Sequence, residues 1–294
     1  MLLDLAHDAM KNGSVMRAVY EQPALARQDG LWMLNNKRWG RIGGVNGHGY
    51  NLTIGKDFLS DEHGYYGLLF DYGSNTVSGA AGSGEYDSYS LGLYAGNKNK
   101  PGSITGFVSY GLQANKGTAY LPVLGQTAES GYDSKTLGIG VEYAYDLDYG
   151  KPEELWHVSP YAKLNFTHYR QKAFREHGAG VFDRSFGSYS DNYAEGELGL
   201  SFDRSEGTGG YGLRLGYKRI LTGERQLMEV CFAEDECGSL LPVRSWGEGR
   251  NHFVAAAYVR HDFSRKWSAG GSLSGDWSNG GREIGARLDL AYHF

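Results

Sequence analysis

The chain has 294 residues, 29 Lys+Arg against 34 Asp+Glu, a formal net charge of -5 and a mean hydropathy of -0.47. That balance offers no basic face for nucleic acid, and apolar runs such as VAAAYV at 254–259 are far short of the roughly 18 residues of a membrane helix. Membrane strands remain open, because each needs only about 9–11 alternating residues and leaves half of its side chains polar.

The start, MLLDLAHDAM, has no basic n-region, and Asp4 and Asp8 interrupt any apolar core. It is not a signal peptide, so an export signal is expected to lie elsewhere. Leu2, Leu5, Ala6, Ala9 and Met16 recur at helical spacing over residues 2–20, opposite Asp4, Asp8, Lys11 and Arg17. This predicts an amphipathic helix, loosened at Asn12-Gly13, with Pro23 in the connector that follows. The helix and connector are expected to occupy 1–36 and a β domain 37–294.

From Trp39 onward the period is two. In 136–145, Leu137, Ile139, Val141, Tyr143 and Tyr145 share one face, against Gly138, Gly140, Glu142 and Ala144. In 211–218, Tyr211, Leu213, Leu215 and Tyr217 oppose Gly212, Arg214, Gly216 and Lys218. About twelve such segments are predicted, near 38–45, 49–59, 64–78, 84–96, 102–117, 131–146, 155–170, 188–203, 209–222, 250–263, 266–278 and 281–294. The 45 glycines and 22 tyrosines suit paired strands with close backbones.

A soluble sandwich would also alternate, burying its apolar face. Three features favour a membrane barrel. Several strands run past the five or six residues usual in sandwiches. The polar face mixes glycine with both signs of charge. Short turns near 60–63, 97–100, 204–208 and 264–266, and a longer one at 146–154, alternate with the connectors 118–130, 171–187 and 223–249, as in barrels with turns on one side and loops on the other. Tyr65, Tyr66, Phe70, Tyr72, Tyr89, Tyr143, Tyr145, Trp156, Tyr161, Phe166, Trp267 and Tyr292 are expected to form interfacial girdles. The fold class is therefore all-β: a transmembrane, antiparallel, up-and-down β-barrel of about 12 strands.

Cys231 and Cys237, in CFAEDEC, have the wrong spacing for a metal site and no flanking histidine. A small disulfide-closed loop is expected, with two unpaired thiols as the alternative. No metal or other cofactor is expected. The last strand alternates Phe294, Tyr292, Leu290, Leu288 and Ala286 with His293, Ala291, Asp289 and Arg287. An aromatic terminus makes sense where this strand closes a barrel beside the first and its apolar face meets lipid.

RWGRIGG at 38–44, the pair YYGLLFDYGSN (65–75) and YDSYSLGLYAG (86–96), and the ending LDLAYHF resemble the C-terminal translocator domain of autotransporters, the type V secretion family, over residues 30–294. The resemblance implies a monomeric twelve-stranded barrel in the outer membrane of a Gram-negative bacterium, among outer-membrane lipid and lipopolysaccharide. It also implies an N-terminal passenger carried to the cell surface with help from the barrel assembly machinery, and an α-helix, here within 2–20, threading the lumen. The terminal strand resembles the assembly signal, carried by Gly285, Leu288, Leu290, Tyr292 and Phe294.

By alternation the lumen-facing charges are Asp57, Asp71, Glu142, Lys163, Glu195, Glu197, Arg214, Lys218, Arg287 and Asp289. Buried in a narrow lumen they should pair, because an unpaired charge out of water is costly. Asp4, Asp8, Lys11 and Arg17 of the helix could join them; a solvated helix outside the barrel is the alternative. Some family members cut off their passenger inside the pore. Asn12-Gly13 is a chemically labile pair, and Glu142, Glu195 and Glu197 are lumen acids, but the helix motif of the self-cleaving subclass is not matched. The bland reading, that these carboxylates only hold the helix, is preferred, and no enzyme is expected. GxSxG and HExxH are absent. A porin or channel, or a barrel whose loops carry adhesion or catalysis, is the competing function.

Overall fold

The computed structural model describes residues 2–11, 19, 30–60, 64–97, 101–122, 125–147, 156–232 and 238–294, without the side chains of residues 2, 59, 60 and 206. A helix, α1 (Leu2–Lys11), precedes sixteen strands. In chain order these are β1 (Gly30–Ile42), β2 (Val45–Ser60), β3 (Gly64–Gly79), β4 (Gly82–Asn97), β5 (Gly102–Leu121), β6 (Gln126–Tyr145), β7 (His157–Gln171), β8 (Phe174–Arg175), β9 (Arg184–Phe186), β10 (Tyr189–Glu206), β11 (Gly209–Thr222), β12 (Leu227–Phe232), β13 (Leu241–Arg244), β14 (Asn251–Asp262), β15 (Trp267–Ser278) and β16 (Gly281–His293).

Twelve of them close an antiparallel barrel in the order β1-β16-β15-β14-β11-β10-β7-β6-β5-β4-β3-β2. Short β8, β9, β12 and β13 form a second sheet, ordered β13-β12-β9-β8, from the connections β7–β10 and β11–β14. Closure is made by β1 on β16, in unbroken register from Gly30↔His293 to Ile42↔Gly281. The final strand is therefore paired on both sides, with β1 and with β15, which leaves no open edge. An even strand count brings the start of β1 and the end of β16 to one rim, the turn end. The second sheet lies at the other, the loop end.

Period two is obeyed throughout the wall. On β6 the outward Leu137, Ile139, Val141, Tyr143 and Tyr145 are exposed while Tyr132, Ser134 and Thr136 face in and are buried. Leu91, Leu93, Leu198, Leu273 and Leu288 are among the many large apolar side chains left exposed on the outside. A continuous apolar band of this kind is far beyond what a water-facing wall carries, and suits lipid. Inside, large rings lie across glycines. A Cβ at Gly55 would fall 2.1 Å from the Trp32 ring, and one at Gly67 would fall 2.2 Å from the Tyr94 hydroxyl. Much of the glycine on the polar face is thus explained by close approach rather than by turns.

The structure differs from the sequence reading in three places. First, β1 begins at Gly30, so residues 30–36 belong to the barrel and not to a connector ending at 36. In GLWMLNNK, Trp32 and Leu34 are buried inward while Leu31 and Met33 are exposed outward, so both faces are apolar and no alternation is visible. Second, 118–130 is no long loop. β5 and β6 run on, paired as far as Leu121↔Gln126, as a tall hairpin of two 20-residue strands. Third, Tyr65 and Tyr161 belong to no girdle. Both are buried in the lumen, where their hydroxyls hydrogen-bond to Thr105 (2.5 Å) and Glu197 (2.7 Å).

Candidate functional site

The lumen is the site, and α1 sits in it at the loop end. Leu3 packs on Phe186 of β9 and on Met228 and Val230 of β12. Leu5, Ala6, Ala9 and Met10 pack on an apolar patch of the inner wall that includes Val45, Val77, Tyr86, Tyr169, Tyr193 and Ile220. Residues 3–11 are all buried, so the helix lies inside the barrel rather than solvated beside it. Asp4, in its first turn, accepts a hydrogen bond from the Trp246 backbone N–H at 2.8 Å, and Lys11 ends its last turn. Both charges complement the helix dipole. Farther down, Val19 joins a separate apolar cluster with Trp32, Leu34, Tyr65, Leu69, Tyr94 and Phe107 near the turn end.

Two charged nodes tie the helix to its surroundings. In the first, Arg38 of β1 donates two hydrogen bonds to the Asp8 carboxylate, Nη1 to Oδ1 at 3.1 Å and Nη2 to Oδ2 at 2.8 Å. The Tyr86 hydroxyl donates to the same carboxylate at 2.9 Å, and Arg38 also reaches Asn75 Oδ1 (2.5 Å) and Glu283 (3.5 Å). A forked guanidinium–carboxylate pair is directional as well as strong. It is possible here because Gly49 lies beside it: a Cβ there would fall 2.9 Å from Arg38 Nε and 2.0 Å from Asn75 Oδ1.

In the second node, Glu248 leaves the β11–β14 connection and turns into the lumen. Its carboxylate accepts from Lys11 Nζ, from His7 Nε2 at 3.0 Å and from the Tyr193 hydroxyl at 3.3 Å. Burial acts to raise the Glu248 pKa, but the charges of Lys11 and His7 outweigh it and hold the carboxyl well below the usual carboxylate range. Lys11 also lies 4.0 Å from Asp276, which pairs with Lys218 (2.5 Å) and His252 Nδ1 (2.5 Å). Lys218 reaches Glu195 at 3.5 Å. The Glu248 turn is pinned from beneath, since Ser278 donates to its carbonyl and His252 Nε2 lies 3.1 Å from the carbonyl of Gly249, which has φ +85°.

Among the described residues, other lumen charges find partners within the wall. Arg214 donates to Glu142 at 2.8 Å and lies 4.0 Å from the Tyr161 ring centroid. Glu197 accepts from Tyr161 and pairs with Lys163 at 3.1 Å. Asp71 accepts from Thr53 at 2.6 Å, and Asp57 accepts from the Tyr94 hydroxyl, which itself takes a hydrogen bond from the Trp32 indole at 2.9 Å. Arg287 and Asp289 form an ion pair at 3.2 Å.

All ten wall charges read from the alternation therefore face the lumen; among the described residues, Glu195 and Lys218 are the two that belong to the network holding α1. Of the helix residues, Asp8 and Lys11 join it and Asp4 caps against a loop. Arg17 and the Asn12-Gly13 pair lie outside the described residues. Leu288, Leu290, Tyr292 and Phe294 point outward and are wholly or partly exposed, whereas Gly285 faces inward. Cys231 is disulfide-bonded, and Cys237 lies outside the described residues. Among the described residues, no group of three or more His, Cys, Asp or Glu is arranged to hold a metal ion.

The residues that sequence reasoning missed are Arg38, Glu248, Asp276, His7, Tyr86 and Tyr193. Asp276 carried a usable signal: it follows Ser272 and Ser274 on the face opposite Leu273 and Trp277. Arg38 was hidden by the inward Trp32 and Leu34 of its own strand. Glu248 lies in a connection with no periodicity, and no local pattern could find it.

Comparison with known proteins gives a consistent picture. The family model for the autotransporter beta-domain matches residues 31–274. No curated protein sequence matches. Among solved structures, the translocator domain of the autotransporter NalP from Neisseria meningitidis superposes with a TM-score of 0.79 at 19% identity, covering 99% of this chain and 98% of that one. The β domain of the Bordetella autotransporter BrkA gives a TM-score of 0.69 at 16% identity, covering 91% and 100%. The transport unit of AIDA-I from Escherichia coli gives 0.60 at 11% identity, covering 98% and 99%.

Proposed function

Because the chain belongs to the autotransporter beta-domain family, we propose that it is the outer-membrane translocator of an autotransporter: it anchors an N-terminal passenger and exports it to the surface of a Gram-negative bacterium. The observation that carries this reading is the course of α1. Its Leu3 end packs on the loop-end sheet and its Lys11 end lies deeper in the lumen, so a segment joined ahead of it would leave on the loop side. If the loops face the exterior, as in outer-membrane barrels, that side is the cell surface. Nothing in this role calls for catalysis. The lumen carboxylates act as the helix's counter-charges, because Asp8, Glu248 and Asp276 are each engaged by cations or donors.

The loop-end charges, Arg38, Glu248, Asp276, Lys218 and Glu195, hold the helix and keep the pore filled. The barrel assembly machinery is the partner that inserts the chain, and it reads the outward Leu288, Leu290, Tyr292 and Phe294. Cys231 and Cys237 close a loop at the cell surface. The barrel acts as a monomer, since it has no open strand edge to offer a second copy.

The test is a fusion. A signal peptide and a tagged passenger are placed ahead of Leu2, the fusion is expressed in a Gram-negative host, and whole cells are treated with external protease. Loss of the tag without lysis supports the reading. A barrel that inserts while its tag stays periplasmic sinks it and leaves a plugged channel. Tag released into the medium without protease would point to self-cleavage near Asn12.

A further inference from the structure

We propose that the loop-end rim of the outer wall is a binding site for the phosphates of the bisphosphorylated glycolipid in the leaflet it meets. This rests on the outer-membrane reading above. The observation is a set of like-charged neighbours on the lipid-facing side of the strands. Lys135 of β6 sits directly opposite Arg170 of β7, and Arg282 of β16 directly opposite Arg41 of β1. All four are exposed and point outward, as does Arg219 of β11 between the two pairs. Like charges directly across a sheet destabilise it, so each pair needs a compensating anion. None is supplied by the protein. Among the described residues these five cations make no ion pair, and their one side-chain hydrogen bond runs from Arg41 Nε to the Gly43 carbonyl at 3.3 Å. Asp133, two residues above Lys135 on the same face, is not paired with it.

Position adds a second, independent argument. On β6 the outward apolar run starts at Tyr145 and ends at Leu137, with Lys135 next; on β16 it runs from Tyr292 to Ile284, with Arg282 next. Ten residues separate the aromatic from the cation in both strands. At roughly 3.3 Å per residue and a barrel tilt of about 40°, that is about 25 Å, the height of an outer-membrane apolar band. The cations thus stand where headgroup phosphates begin. The turn-end rim differs: there the outward faces of β6, β11 and β16 end in Tyr145, Tyr211 and Tyr292. Paired Lys and Arg donors match a lipid carrying two phosphates better than a single-phosphate one.

The experiment uses the full chain, refolded and placed in phosphatidylcholine nanodiscs doped with bisphosphorylated lipid A. Bound lipid A per barrel is measured for the wild type, Arg41→Gln/Arg282→Gln, Lys135→Gln/Arg170→Gln, and a turn-end control, Lys56→Gln. Each double variant is expected to weaken binding roughly thirtyfold, at about 1 kcal/mol for each of the two cations removed near a lipid surface, with the control unchanged. Phosphatidylglycerol doping should give much weaker retention, and millimolar inorganic phosphate should not displace lipid A. Equal binding by wild type and both double variants overturns the proposal, as does equal retention of phosphatidylglycerol. Gel mobility with and without boiling verifies that each variant is a folded barrel. A chain that folds and binds lipid A but fails to export a passenger would leave this site standing and remove only the translocator reading.

Discussion

The lumen holds charge in two different ways, and the contrast shows what the helix is for. Midway down the wall, Arg214 and Glu142, or Lys163 and Glu197, face each other from neighbouring or nearby strands and would remain paired in an empty barrel. At the loop end, Arg38 and Glu248 find their main partners on α1, as Asp8, Lys11 and His7. Remove α1 and the pairs Arg214–Glu142 and Lys163–Glu197 stay whole, while the second group is left with buried charges facing a cavity. The wall network shapes the pore; the loop-end network is incomplete without its plug.

That division predicts a ranked set of effects. Deleting residues 2–11 should have the largest. An α-helix occupies a cylinder about 10 Å across, so single-channel conductance in planar bilayers should rise severalfold; an unchanged value would mean that α1 does not block the pore. Next comes Arg38→Met, which strands the Asp8 carboxylate. Breaking one side of a buried pair costs about 3–5 kcal/mol, so open-state bursts should become frequent, and adding Asp8→Asn should restore much of the closed time. If the double variant gates as freely as the single one, the pair is not what retains the helix.

Acid should have a smaller effect. Glu248 has a folded-state pKa lowered below its unfolded value, so its contribution is fully present above the usual carboxylate range and is lost as pH falls through the lowered folded value. Plug retention should therefore be full at neutral pH, weaken progressively once pH falls into the ordinary carboxylate range, and be lost only in stronger acid. Glu248→Gln should be leaky already at pH 7, and a sharp opening of the wild type near pH 6 would contradict this account. The smallest change is expected for Glu142→Gln. The loss concerns only the wall partner of Arg214, so gating should match the wild type and the heat-modified gel shift should persist. A leak as large as that of Arg38→Met would erase the distinction between the two networks.

Legibility in the sequence follows the same line. The outward faces of β6, β11 and β16 could be read residue by residue, because alternation is a property of one strand and needs no partner. Inward charges such as Lys218 and Asp289 followed from the same parity. Alternation disappears where a strand meets apolar neighbours on both sides, as at Trp32 and Leu34, and where short strands such as β8 and β9 carry too few residues to show a period. The stretch 118–130 reads as a loop, because the glycines and polar residues of a hairpin rising above the apolar band look like those of a loop.

The sequence by itself determined that this chain is a barrel with an apolar outside and a charged inside, and that a short amphipathic helix precedes it. Only the tertiary structure decided which charge meets which. Asp8 and Arg38 are 30 residues apart, and Lys11 and Glu248 are 237 apart. Such pairs exist because β1 closes on β16 in one register and a loop folds back into the pore. Side-chain alternation is set by the pleat of a single strand, whereas pairing across a lumen is set by closure, which no local stretch of sequence contains.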